Sequence, residues 1–124
     1  MLTPTRELAA QIVEDLNDLA VHTPLTAAAV FGGVGMGPQE HAFRSGVDVI
    51  VATPGRLLDH FRRRTRSSAG LQYLVLDEAD RMLDMGFLPD IRRVLRTFRR
   101  REAPDAVLQR DDAAADRAAV AARC

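Results

Sequence analysis

The sequence predicts an α/β fold, a parallel sheet flanked by helices. Three observations lead there. Short runs at 26–31, 47–52 and 72–76 are apolar on successive residues rather than alternate ones, which marks strands covered on both faces. Segments with helical spacing stand between and around them. Each run ends in residues that chemistry can use: Gly32-Gly33, Thr53–Arg56 and Asp77–Asp80. In open parallel sheets, ligands sit at the carboxyl ends of the strands.

The elements follow in order. Leu8, Ile12, Val13, Leu16 and Leu19 share one face of a helix over 6–20. Thr26–Phe31 is β-compatible and stops at Gly32-Gly33, which opens the Gly-rich loop GGVGMGP. A short helix is expected over 39–45 and a buried strand over Val47–Ala52 (VDVIVA). Pro54 suits the first position of a helix over 54–63. RRRTRSS at 62–68 is a polar loop, and 72–76 is a further buried strand. Ile91, Val94, Leu95 and Phe98 carry the i, i+3, i+4, i+7 spacing of another helix. Residues 103–124 have little apolar periodicity and no strand signal, so a disordered polar tail is expected from 99 to 124.

Size and composition bound the rest. The chain has 124 residues, enough for one small domain, and 47% hydrophobic residues can support a core. With 17 basic and 17 acidic residues the bulk charge favours no partner, so only local clusters can recruit one. All the basic residues are Arg; there is no Lys. The single Cys124 excludes an internal disulfide and a Cys-based zinc cluster. His22, His41 and His60 lack metal spacing and read as surface or core residues. The first residues show no basic stretch followed by an apolar core, and no apolar stretch nears the ~20 residues of a membrane span. A cytoplasmic protein with no membrane partner is expected.

Three local patterns carry chemistry. In LQYLVLDEADRMLD at 71–84, an apolar strand ends in Asp77, Glu78 and Asp80. An Asp at such an exit can hold Mg²⁺, directly or through water, beside a nucleotide's phosphates, and the adjacent acid can orient or deprotonate an attacking water. An acidic turn that caps the next helix at its positive end accounts for the same spacing. Thr3-Pro4-Thr5-Arg6 and Thr53-Pro54-Gly55-Arg56 each precede an apolar-periodic helix. Thr is a good N-cap, and such a start offers free N–H groups to phosphate with an Arg alongside. Ordinary capping explains one of them. Two on one sheet edge, with Gly32-Gly33 between them, suit consecutive phosphates of one strand. GGVGMG is no phosphate loop, because no Lys-Ser or Lys-Thr follows. The Arg runs at 62–66 and 99–101 read as solvated surface.

Together these residues resemble the DEAD-box ATP-dependent RNA helicases. PTRELAAQ at 4–11 is similar to the family's motif Ia, Gly32-Gly33 to its Gly-Gly doublet and TPGR at 53–56 to motif Ib. DEAD at 77–80 is its motif II, and DRMLDMGF at 80–87 resembles the helix that follows. Order and spacing agree over residues 2–97. The resemblance implies a partial RecA-like parallel sheet in residues 1–98, belonging to the first of two such domains. It implies ATP bound between the domains and single-stranded or structured RNA across both, held without sequence specificity. By matching position, Asp77 would hold Mg²⁺ through water, Glu78 would position the attacking water, and Asp80 would link motif II to motif III. Pro4, Thr5, Arg6, Gly32, Gly33, Thr53, Pro54, Gly55 and Arg56 would line the RNA backbone.

The sequence also departs from the family pattern. The phosphate loop ending in Gly-Lys-Thr should precede motif Ia, and a chain without Lys cannot carry it elsewhere. The first strand, which leads into the phosphate loop, and the second domain are therefore expected to be missing, leaving a central gap in the sheet and an inactive isolated chain. A non-catalytic single-stranded RNA-binding module, or a non-functional truncated product, is the other expectation. Motif III, Ser-Ala-Thr, is absent where it should follow the helix at 88–98. Codons for Ala103–Asp112, read from their second nucleotide, permit Arg-Pro-Thr-Leu-Phe-Phe-Ser-Ala-Thr-Met, which resembles the motif III strand. A frameshift near 98–103 is expected; coincidence in an Ala/Asp/Arg-rich tail, where the code's degeneracy allows a choice of peptides, accounts for the same match.

Overall fold

The computed structural model describes residues 1–63, 72–99 and 105–108. Its helices are α1 (Arg6–Leu19), α2 (Met36–Ser45), α3 (Pro54–Arg62), α4 (Ala79–Asp84) and α5 (Leu88–Arg99). Its strands are β1 (Ala27–Val30), β2 (Val49–Ala52), β3 (Tyr73–Leu76) and β4 (Asp105–Leu108).

β1 pairs parallel with β2, Val30 opposite Ala52, and β3 pairs parallel with β4, Leu76 opposite Leu108. Residues 1–3 join the two pairs. Leu2 bridges Ala52 on one side and Leu76 on the other, both parallel. The Leu2 N–H donates to the Val75 carbonyl (2.8 Å) and the Thr3 N–H to the Ala52 carbonyl (3.0 Å). In return the Ala52 N–H donates to Met1 (2.9 Å) and the Asp77 N–H to Leu2 (2.9 Å). The order is therefore β1, β2, residues 1–3, β3, β4. This corrects the expected central gap: the N-terminal residues fill the middle of the sheet, and the described strands are continuous.

A second correction concerns the tail. Four of its residues, Asp105–Leu108, form β4. DAVL is too short to show periodicity and gains its strand partners only from β3. Residues 64–71, which include most of the expected polar loop, and 100–104 and 109–124 of the tail lie outside the described residues.

The core lies on one face of this sheet. Leu2, Val30, Ala52, Leu74 and Leu76 pack with Phe43, Leu57, Leu58, Met82, Ile91, Val94 and Phe98 of the helices. Phe61 of α3 meets Phe98 of α5 edge to face, with ring centroids 5.5 Å apart, a favourable aromatic geometry. Ile50 and Ala52 join this core, so the intervening Val51 points to the opposite face. There Val51 and Ala9 are buried and α1 packs across β1 and β2. The apolar face expected for α1 is only half covered: Leu8, Ile12, Val13 and Leu16 are partly buried, and Leu19 is 80% exposed.

Candidate nucleic-acid interface

Because the strands are parallel, residues 1–3, β1, β2 and β3 all deliver their following loops to one edge. That edge gathers the sequence-predicted residues. Residues 1–3 lead into Pro4-Thr5-Arg6, β1 into Gly32-Gly33, β2 into Thr53–Arg56 and β3 into Asp77–Asp80.

Two helix starts are built as their sequences require. Thr5 is extended and caps α1, its hydroxyl accepting from the Leu8 N–H at 3.3 Å. Thr3 is fully buried, and its hydroxyl donates to the Thr5 carbonyl at 3.2 Å, fixing the turn below Arg6. Thr53 caps α3 with Pro54 in the first helical turn, and its N–H donates to Val30 at 3.0 Å. Its side chain makes no capping hydrogen bond.

The Gly-Gly loop brings the two starts together. Gly33 has φ +85°, and a Cβ there would stand 3.1 Å from an Arg6 terminal nitrogen. On the other side, Arg56 donates through Nη2 to the Val34 carbonyl and through Nε to Gln39 Oε1 at 3.1 Å. A Cβ on Gly32 or Gly55 would meet no protein atom within 4 Å, so space is open above both. Arg6 is exposed, and its Nε lies 2.8 Å from the exposed Glu7 carboxylate. That hydrogen bond holds Glu7 below the usual carboxylate range. Exposed pairs of this kind are worth about 0–1 kcal/mol, so Arg6 can exchange Glu7 for a phosphate.

Pro4 and Pro54 are placed differently. Both are buried, Pro54 below 2% exposure. Their rings pack inside the fold beneath the edge, while Thr5, Arg6, Gly32, Gly33, Thr53, Gly55 and Arg56 retain exposed surface.

Gln39 escaped sequence reading. It lies in α2, 5% exposed, four residues before the buried Phe43. Its Nε2 donates to the Phe31 carbonyl at 2.8 Å, and its Oε1 stands 3.1 Å from both Arg56 Nε and His60 Nε2. The available signal was a polar residue on the face that Phe43 buries. His60 is 1% exposed and stacks on Phe43 at 4.7 Å. Burial chiefly, and then the neighbouring Arg56 charge, lowers its pKa.

The carboxylates sit at the β3 exit. The Glu78 N–H donates to Asp77 Oδ1 at 3.1 Å, and the Asp77 backbone is tied to Leu2. Glu78 adopts left-handed φ 47°, ψ 49° and caps α4 without a side-chain bond. It is the one non-glycine residue with positive φ among the described residues, and such outliers gather at functional sites. Its carboxylate pairs with Arg81 at 2.9 Å. Asp80 lies in the first turn of α4, partly buried.

These residues fit half of a magnesium nucleotide. Mg²⁺ is commonly bound by one or two carboxylates together with phosphates and waters, and Asp77 offers one. Among the described residues no three His, Cys, Asp or Glu side chains are placed to hold a metal.

Comparison with known proteins agrees with this architecture. Residues 1–111 match the family model for the DEAD/DEAH box helicase. The chain is 47% identical over 92 residues to the ATP-dependent RNA helicase RhlB of Pseudoalteromonas atlantica, covering 74% of this chain and 22% of that protein. It resembles a DEAD box protein from the hyperthermophile Methanococcus jannaschii, with TM-score 0.79 and 35% identity over 90% of this chain and 30% of that one. A yeast DEAD-box splicing factor gives TM-score 0.82 at 25% identity, over 97% and 29% of the two chains. The chain belongs to the DEAD/DEAH box helicase family. Its fold is part of a RecA-like domain, and it spans under a third of each of these relatives.

Proposed function

We propose that this chain carries the RNA-gripping edge and the motif II carboxylates of an ATP-dependent RNA helicase. One observation carries the reading. Arg6 and Arg56, from two separate helix starts, flank a single Gly-Gly loop, one beside Gly33 and the other bonded to Val34. Two guanidinium groups on either side of one loop, with two helix starts and open space over Gly32 and Gly55, suit the phosphates of a backbone approaching closely. Among the described residues, the groups offered at this edge are guanidinium and backbone N–H groups suited to phosphate, so the proposed binding is indifferent to sequence. RNA is the proposed polymer, and the cytoplasm the proposed compartment.

In the whole protein, two such domains would close on Mg²⁺-ATP and RNA together, bending the RNA and separating a short duplex locally. Asp77 would hold the metal through water. Glu78 would leave Arg81 and orient the attacking water, and Asp80 would join motif II to motif III. Removing Glu78 from Arg81 costs little, since the pair lies at the surface.

The test uses the purified chain and labelled single-stranded RNA. Arg6→Ala and Arg56→Ala should each weaken binding several-fold and flatten its salt dependence. Binding indifferent to both changes and to added salt overturns the proposal. The chain should show no RNA-stimulated ATP hydrolysis, for no Lys is present to grip the γ-phosphate. A second reading is a non-catalytic RNA-binding module. Turnover that Glu78→Gln abolishes would refute it.

A further inference from the structure

We propose that Gln39 is a positioning residue for RNA binding: its buried carboxamide holds the Arg56 guanidinium in the plane in which it meets a phosphate. The inference rests on the reading of Arg56 as an RNA contact and extends it to a residue that touches no RNA.

The geometry fixes the carboxamide from three sides. The Phe31 carbonyl is an acceptor, so the NH₂ end must face it, and it does at 2.8 Å. The oxygen is then turned toward α3, where it receives Arg56 Nε and His60 Nε2, each at 3.1 Å. Both of its lone pairs are used. Because that oxygen can only accept, His60 must carry its proton on Nε2. The other ring nitrogen, Nδ1, is buried with no partner among the described residues. His60 is thus a neutral donor, and the carboxamide cannot turn over without losing all three bonds.

Arg56 inherits this rigidity. Gln39 holds its Nε, and the Val34 carbonyl holds Nη2. Anchored at two donors, the planar fork keeps one orientation, and three of its five N–H groups remain for an anion. A free surface Arg must be immobilised when it binds. Pre-ordering one such side chain is worth about 3- to 10-fold in affinity. Gln39 also ties α2 to the end of β1, so a structural role must be separated from a positioning one.

A double-mutant cycle does so. Anisotropy of a fluorescein-labelled oligouridylate would be measured with the full chain, Gln39→Met, Arg56→Ala and the double variant. Met keeps the length and packing of Gln but offers Arg56 only a poor acceptor. Gln39→Met is expected to weaken binding about 3- to 10-fold and to cause no further loss once Arg56 is Ala. Equal losses in both backgrounds, or no loss in a folded Gln39→Met chain, overturn the proposal. If Arg56→Ala itself leaves affinity unchanged, the RNA-contact reading of Arg56 fails and this inference falls with it. A variant-independent measurement guards against misfolding. In the free wild-type chain, the Arg56 Nε–H resonance, identified by its absence in Arg56→Ala, should exchange slowly with water. Exchange as fast as that of the exposed arginines overturns the inference.

Discussion

Gly33 and Arg6 stand in close contact: a Cβ on Gly33 would lie 3.1 Å from an Arg6 terminal nitrogen, near enough that the guanidinium would have to give way by a few tenths of an ångström. The glycine also holds φ +85°, where an L-residue is disfavoured by about 1–2 kcal/mol. Gly33→Ala should therefore cost about 1 kcal/mol of stability and displace the Arg6 tip. Urea unfolding and RNA titration together check this. The expected signature is a modest fall in the unfolding midpoint with a clear loss of RNA affinity; unchanged affinity would show that the Arg6 tip is indifferent to its neighbour.

Glu78 holds a left-handed backbone that suits glycine better than glutamate. Both Glu78→Gly and Glu78→Ala remove the Arg81 pair, which is worth little. Only Gly relieves the backbone. The Gly variant should be the more stable of the two by about 1 kcal/mol in denaturant. An Ala variant as stable as the Gly variant would mean that the turn is unstrained.

His60 links stability to pH. Its folded pKa lies below the ordinary 6.5 because burial disfavours the imidazolium, with Arg56 and then Arg63 adding repulsion and Glu40 and Asp59 opposing it. The unfolded chain therefore binds the proton more readily. Stability from this residue is complete above about pH 6.5 and falls as pH drops from there toward the lowered folded value. Urea midpoints at about pH 7.5 and about pH 5.5 should differ more in the wild type than in His60→Gln. Equal differences would mean that His60 titrates alike in both states.

β4 bears on the proposed frameshift. Its residues 105–108 pair with β3, and in the shifted reading the codons for these four residues permit Thr-Leu-Phe-Phe. The next three would spell Ser-Ala-Thr. We propose that resequencing the DNA across codons 98–116 will recover that peptide after a single-nucleotide correction. Any other peptide in the shifted frame removes the idea.

Much of the framework was legible because local pattern and tertiary role coincide. α1, β2, α3, β3 and α5 lie close to their expected bounds, since burial and periodicity agree there. The exits that carry Arg6, Gly33, Arg56 and Asp77 were readable for the same reason. Other features depended on neighbours distant in sequence. Residues 1–3 show no strand pattern by themselves and become central only through β2 and β3. α2 begins at Met36, before its expected start, because Pro38 fits its first turn. Pro4 and Pro54 share tetrapeptides with Arg6 and Arg56, and their burial shows only once the sheet is assembled. Gln39 was hidden because a lone buried amide gains meaning only from the three groups around it.

The placement of residues 1–3 sets the order in which the chain can fold. They leave the ribosome before their partners at 50–52 and 75–77 exist, so their hydrogen-bonding groups must wait in water. β1 and β2 can pair early, being closer in sequence. The middle of the sheet closes only when β3 has been made, and closing so long a loop slows the step. Until then the edge of residues 1–3 that β3 will cover stays open, and the nascent chain is most exposed to mispairing during that interval.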